Sequence, residues 1–447
     1  KFCIFFSYNS ILQITYFFNF MKILIVGLGY VGTTLFAAIQ SKFKNSYIVG
    51  LDKSNILINN FKKYSYPTYE INLKKYFRLK NSNKLNFITK FKDKEKFDFV
   101  IICVGTPLNQ NKEINNSILF KSINQVKKNL HNNSLLIVRS SVKVGTMELI
   151  KKKFFKKNFC SFAYCPERTI EGNAVKEIMK LPQLIGTEDK MSKLKANLFF
   201  SRLTKKIINF NSYKEPEFVK LMDNYHRDTK FAFANEISII CDKLGINAKN
   251  LIQKANYEFK RNNIPFPGPV GGPCLSKDPY ILMNSIKKNN FKTRIYSRDT
   301  NENFVNLFIN KILREIQFNR NNISKISLLG ITFKGKPDTN DIRNSTAITI
   351  INRVKKKFPK IKIYIYDKFV DNNEIKKLNC LPLKKVEDCF IKFNFCIVHG
   401  NNNYIKNLNI NKISNKMKKN SVIYDIWNNF NIKNINLKKT LYKGVGF

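Results

Sequence analysis

The chain has 447 residues, enough for two or three domains each with its own core, and no long uncharged apolar run follows residue 21, which argues against a membrane-spanning protein. It carries 79 Lys+Arg against 31 Asp+Glu, a formal net charge of +48. The lysines are spread evenly among an excess of Asn, Ile, Phe and Tyr, so the charge reads as a coding bias toward A and T, with no basic block of the kind that binds nucleic acid; it still favours an anionic substrate.

Nine cysteines, an odd number without a CxxC pair, argue against a disulfide framework and for a reducing, cytoplasmic compartment. His131, His226 and His399 are scattered and no HExxH occurs, so no metal is expected.

Residues 1–20, "KFCIFFSYNSILQITYFFNF", are apolar and aromatic but lack a basic n-region and a cleavage site. They are expected to be an unstructured or non-native leader, with the folded protein starting at Met21. From there short apolar runs alternate with amphipathic segments. "KILIV" (22–26), "YIVGL" (47–51), "FVIICV" (99–104) and "LLIVRS" (135–140) predict buried strands of a doubly wound parallel sheet. A helical pattern from about 215 to 245, ended by Gly245, suits a connecting or dimer-forming helix, and helical material continues to about 320. A second αβ pattern follows in "KISLLGITF" (325–333), "KIYIYD" (362–367), "NFCIVHG" (394–400) and "SVIYDIW" (421–427). The expected fold is therefore α/β, two Rossmann-like doubly wound parallel-sheet domains joined by a long central helix and a helical middle region. The boundaries are 21–205 for a cofactor domain, 206–318 for the middle and 319–440 for a second αβ domain. No internal repeat of solenoid period is visible.

"VGLGYVG" places Gly27, Gly29 and Gly32, with Tyr30 and Val31 between them, directly after the first strand and at the start of a helical segment. The first glycine permits a tight turn, the second lets the backbone approach a pyrophosphate, and the third packs helix on strand. Asp52 closes the next strand, placed to bind ribose hydroxyls and to repel a 2′-phosphate. The pattern predicts NAD as cofactor.

"PGPVGGPCLSKDP" sets Cys274 after two glycines and before a helix start. A helix N-terminus and Lys277 both favour a thiolate, the glycines, Gly271 among them, leave room for a substrate, and Asp278 stands ready to move a proton or orient water. On the long helix Lys220, Asn224 and Asp228 recur every four residues, with Phe231 and Asn235 continuing the face. A Lys and an Asn one turn apart suit an oxyanion; a solvated ridge would carry the same spacing.

With "GLGYVG", "CVGTP" (103–107), "VRSSVKVGT" (138–146), "CPERTIEGNA" (165–174), "VKLMDNYHRD", "GGPCLSKDP" and "LGITFKGKPDTNDIRNS" (329–345) in order, the chain resembles the UDP-glucose/GDP-mannose dehydrogenase family from Met21 to about residue 430. That resemblance implies an NAD-dependent, four-electron oxidation of the C6 hydroxyl of a UDP-sugar to a uronic acid, for polysaccharide synthesis. Cys274 would form a thiohemiacetal and then a thioester. Lys220 and Asn224 would stabilise the oxyanion, Asp278 would work with Lys220, and Glu167 would assist hydrolysis. Ser141 stands where the family usually has Thr and keeps the hydroxyl in the catalytic set. Thr106 and Arg343 would lie on the NAD side. The backbone around Thr169 and Glu171, with Gly271, Lys334 and Arg261, would hold the nucleotide sugar. "CPERTIEG" and "NYHRD" depart from the glucose-acting branch and resemble enzymes of UDP-N-acetylhexosamines. A homodimer through the long helix is expected, with neither nucleic acid nor membrane as partner. The alternative is an inactive nucleotide-sugar-binding relic, against which the intact Cys274, Lys220, Asn224, Asp278 and Glu167 speak.

Overall fold

Side chains alternate across each strand so that both faces of each sheet are covered, which is why the strands read as continuous apolar runs. Ile23, Ile25, Phe99, Ile101, Leu135 and Ile137 enter one core layer, while Leu24, Val26, Val100, Ile102, Leu136 and Val138 enter the opposite one. The structure, a computed structural model, describes residues 20–43, 45–63, 65–66, 70, 73–78, 86–91, 95–155, 159–286, 296–319 and 323–444. The expected leader, apart from Phe20, lies outside the described residues. These fall into two compact units, one of residues up to Met222 with Tyr280–Ile286, the other of Asp223–Pro279 with the residues from Tyr296 onward.

In the first unit β1 (Lys22–Val26), β2 (Tyr47–Leu51), β3 (Asn86–Ile88), β4 (Phe99–Ile102), β5 (Leu135–Val138), β6 (Ser161–Tyr164), β7 (Gln183–Gly186) and β8 (Ile207–Phe210) form one sheet. Its order is β3-β2-β1-β4-β5-β6-β7-β8. Neighbours are parallel except β6 and β7, which meet antiparallel at Tyr164 and Gly186. The second unit holds β9 (Lys325–Leu329), β10 (Lys362–Tyr366), β11 (Leu381–Pro382), β12 (Phe395–Val398), β13 (Ser421–Asp425) and β14 (Thr440–Gly444). Their order is β11-β10-β9-β12-β13-β14, all parallel. Both sheets reverse direction of winding between their first and fourth strands, the place where such sheets open a crevice beyond the strand carboxyl ends.

Several strands stop short of the apolar run that predicts them. β4, β5, β9, β12 and β13 end at Ile102, Val138, Leu329, Val398 and Asp425. Past Leu329 the reason is local, since Gly330 takes φ +82° and turns the chain out of the ladder. Beyond these ends Cys103, Ile331 and Ile426 still enter the cores without joining the ladder.

The long helix spans Lys214–Leu244 and ends where Gly245 adopts φ +67°. The division between the units falls within it, after Met222. The middle region is less helical than expected. Helices Ala248–Asn256 and Asp278–Met283 are separated by a non-helical stretch, because Pro265, Pro267, Pro269 and Pro273 with Gly268, Gly271 and Gly272 cannot sustain a helix. Helix Tyr296–Phe318 follows.

Candidate active site

The turn after β1 is built as a phosphate cradle. Gly27 has φ +89° and its N–H donates to the Leu51 carbonyl at 2.8 Å. A Cβ on Gly32 would lie 1.8 Å from the Gly27 oxygen, so helix Tyr30–Lys42 approaches the strand only because that residue has no side chain. A Cβ on Gly29 or on Gly105 would meet nothing within 4 Å. The N-terminus of this helix has no side-chain cap, which leaves its N–H groups for an anion. Asp52, at the end of β2, is half-buried and its carboxylate accepts the N–H groups of Leu28 at 2.8 Å and Ser54 at 3.0 Å. These residues fit the pyrophosphate and adenosine ribose of NAD. Val31, half-buried, packs against the core behind the cradle.

Tyr30 reaches away from this turn. Its hydroxyl donates to Glu70 in a very short contact and accepts from the Gly172 N–H at 2.6 Å, so the cofactor turn is tied to the loop 165–173. Glu70 also accepts from Gly172 at 3.1 Å and Val175 at 3.2 Å. Burial pushes both the Tyr30 phenol and the Glu70 carboxyl up from their ordinary values. Glu171 is half-buried at the turn before Gly172.

Glu167 is buried beside Arg139, which donates from one Nη to its Oε2 at 2.5 Å and from the other to Gln183 at 3.0 Å. Its Oε1 accepts from the backbone of Arg168 at 2.9 Å and Thr169 at 3.1 Å. Burial alone raises such a carboxyl, but the Arg139 charge and hydrogen bonds outweigh it and hold Glu167 below the usual range. A carboxylate so engaged is suited to fixing the loop and orienting a ligand. Thr106 donates its hydroxyl to the Ser141 carbonyl at 2.6 Å, joining the loops after β4 and β5.

In the second unit Cys274 occupies the turn before helix Asp278–Met283, and its carbonyl accepts from Lys277 at 3.0 Å and Asp278 at 2.8 Å. Of the eight described cysteines it alone is exposed. Burial pushes the thiols of Cys103, Cys160, Cys165 and Cys396 up to about 12, leaving them inert near neutrality. Asp278, fully buried, accepts Asn224 Nδ2 at 2.7 Å and faces Lys277 Nζ at 3.6 Å. Lys220 stands half-buried one helical turn before Asn224. The Cys274 turn is clamped from behind, because Gly272 donates to the Asn344 carbonyl at 3.0 Å and a Cβ on Gly271 would lie 2.4 Å from that oxygen.

The rest of the helix face is neither a solvated ridge nor catalytic. Asp228 accepts Ser297 at 2.8 Å, Arg298 at 2.6 Å and Asn301 at 2.9 Å, and Asn235 bonds Asn301 and the Gly268 N–H, each at 2.8 Å. Phe231 is half-buried beside them. Beyond β9, Lys334 is half-buried with its Nζ 5.7 Å from the Phe333 ring centre, and Arg343 is exposed and paired through Nη2 with Asp341 at 2.5 Å. Arg261 is exposed and stacks on Phe259 at 4.7 Å. At the crevice of this sheet Gly330 repeats the geometry of Gly27, and Ile331 donates to Asp367 at 2.7 Å as Leu28 does to Asp52. His399 and Asn402 border the same crevice, buried, with His399 bonded to Thr346 at 2.7 Å and Asn402 to Asp338 at 2.8 Å. Among the described residues no group of His, Cys, Asp and Glu is placed to hold a metal, and no helix is long and apolar enough to cross a membrane.

A dinucleotide turn on one sheet, an exposed thiol beside a buried Asn–Asp pair, and a second nucleotide-type crevice define a cofactor-dependent dehydrogenase acting on a nucleotide-linked substrate. The chain belongs to the UDP-glucose/GDP-mannose dehydrogenase family, matching its NAD binding domain over residues 21–204, its central domain over 214–303 and its UDP binding domain over 327–432. It is 31% identical over 436 residues to a UDP-N-acetyl-D-mannosamine dehydrogenase of Methanocaldococcus jannaschii, covering 95% of each chain. It is 31% identical over 350 residues to one of Campylobacter jejuni, covering 74% of this chain and 83% of that one. The structure of a UDP-D-ManNAc dehydrogenase from Pyrococcus horikoshii superposes with a TM-score of 0.80 at 25% identity, covering 95% of this chain and 99% of the other. The protein is an NAD-dependent oxidoreductase acting on a CH–OH group of a UDP-sugar.

Proposed function

We propose that the chain oxidises C6 of UDP-N-acetyl-D-mannosamine to the carboxylate, supplying a uronic acid for a surface polysaccharide. The sugar rests on the names of the relatives in two archaea and a bacterium, together with the "CPERTIEG" loop. The mechanism rests on one observation, the exposed Cys274 beside the buried Asn224–Asp278 pair.

NAD, held by the Gly27–Gly32 turn and Asp52, supplies the hydride acceptor for each of two oxidations. Lys220 and Asn224 stabilise negative charge on the C6 oxygen. Cys274 adds to the C6 aldehyde, giving a tetrahedral thiohemiacetal that still carries a C–H bond; loss of that hydride leaves a thioester. Water, oriented by Asp278 and directed by the loop Glu167 holds, opens the thioester and returns the thiol. Thr106, Ser141 and Arg343 border the cofactor; Thr169, Glu171, Gly271, Lys334 and Arg261 hold the nucleotide sugar.

The protein acts in the cytoplasm as a homodimer. The long helix supports the dimer, since Phe218, Met222, Phe233, Ile240 and Leu244 are all 42–66% exposed on it. Sedimentation equilibrium reads this directly, and a monomer at micromolar concentration removes it.

The test of the reaction is NADH formed per sugar with UDP-ManNAc, UDP-GlcNAc and UDP-glucose. Two NADH per UDP-ManNAc, lost in Cys274→Ala, is expected. One NADH per sugar overturns the thioester route, a different preferred sugar overturns the assignment, and NAD and UDP binding without turnover identifies a relic.

A further inference from the structure

We propose that Glu217 is a positioning residue for the oxidation: by holding the N–H groups of Gly145 and Met147 it fixes the first turn of helix Lys214–Leu244, and with it the placement of Lys220. The inference rests on the reading of Lys220 given above. Glu217 is fully buried, and its two oxygens accept from Gly145 at 2.6 Å and Met147 at 2.9 Å. Those donors open helix Thr146–Phe154, whose own N-cap, Gly145, sits at φ +89° and offers no side chain. An acid from another helix therefore does what a local Ser or Asp does elsewhere, and the helix dipole favours its charge.

The hold is directional because the surrounding turn has no slack. Pro216 is wedged on β7, where a Cβ on Gly186 would lie 2.5 Å from Pro216 Cγ and 2.8 Å from the Ser212 oxygen. On the other side Leu221 is fully buried. Lys220 stands between these anchors, three residues after Glu217 and so on a neighbouring face of the helix. Gly145 lies four residues past Ser141, whose carbonyl accepts from Thr106, so Glu217 and Thr106 hold the two ends of one short stretch of chain.

The grip depends on ionisation, since both N–H groups are accepted only by a carboxylate. Burial pushes the Glu217 carboxyl up to about 7; the hydrogen bonds from Met147 and Gly145 lower it, Glu148 on the 146–154 helix raises it further, and Lys214 on its own helix lowers it.

The experiment compares wild type, Glu217→Gln, Lys220→Ala and the double variant in NADH production with UDP-ManNAc from pH 5.5 to 9. Glu217→Gln is expected to lower kcat about 10- to 100-fold, the scale of a small misplacement, with KM for NAD unchanged. Wild type should lose kcat as pH falls through about 7, and Glu217→Gln should lack that limb. The double variant should be no slower than Lys220→Ala. If Glu217→Gln does not fold, Glu217→Asp replaces it, with reduced kcat and the limb retained. Independent, multiplying effects of the two substitutions, or an acid limb that survives in Glu217→Gln, overturn this inference alone. Unchanged kcat in Lys220→Ala overturns the role of Lys220 and the inference with it.

Discussion

Asn224 donates to Asp278 across 2.7 Å, and both side chains are buried. The bond joins the long helix to the turn that carries Cys274, so a residue one turn from Lys220 and a residue four past the thiol are held as one piece. Asn224→Ala leaves the Asp278 carboxylate buried, facing Lys277 at 3.6 Å but without its amide donor. The expected result is a stability loss of about 1–3 kcal/mol, read by urea denaturation, with a kcat loss beyond what the unfolded fraction explains. Asp278→Asn, which keeps the volume, should melt near wild type and still lose turnover. Full activity in either variant would remove the pair from the mechanism.

Gly29 and Gly32 should separate binding from folding. Gly32→Ala drives a Cβ to 1.8 Å from a backbone oxygen and should cost about 1–3 kcal/mol or more. Gly29→Ala meets nothing within 4 Å, so its melting temperature should match wild type while NADH affinity, followed by fluorescence titration, falls at least tenfold. Unaltered affinity in Gly29→Ala would mean that the turn does not seat the pyrophosphate.

Arg139→Met strips the guanidinium from a buried carboxylate and should destabilise the first unit by about 3–5 kcal/mol at pH 7. The folded Glu167 carboxyl lies below its unfolded value, so its contribution is present above the unfolded value, near 4.3, and is lost as pH falls through the folded one. The gap between the denaturant curves of wild type and variant should therefore narrow only as pH falls below about 4.3 and through the folded value. A gap that persists at low pH would assign Arg139 a packing role only.

His399 works in the opposite direction from a salt-bridged histidine. Burial lowers its imidazole to about 4, so it stays neutral in the fold while the unfolded side chain protonates below about 6.5. Stability is therefore lost as pH falls from about 6.5 to 4, by on the order of 3 kcal/mol. His399→Gln should flatten that slope and keep the bond to Thr346. An unchanged slope would place the titration elsewhere.

The sheets were legible because their strands are buried on both faces, and "KILIV" or "FCIV" has no other use in a folded chain. Short strands such as β6 and β8 were not, since "SFAY" mixes polar with apolar residues and "IINF" lies partly exposed. The glycine turn and the thiol turn carry their chemistry in contiguous residues. Glu70 and Glu217 carry none of theirs, because their partners include backbone N–H groups 102 and 72 residues away. Arg139 likewise reads as the tail of a strand until Glu167 is placed against it. Asp228 shared the spacing of Lys220 and Asn224, and only the position of Arg298 shows that its charge is already used.

Gly29 sits at φ −64° and ψ −166°, a conformation open to any residue, and alanine there would touch nothing. Glycine at 29, and at Gly105 where a side chain would also meet empty space, therefore answers no packing demand of the polypeptide. Open space over both residues is room for another molecule to lie directly against the backbone.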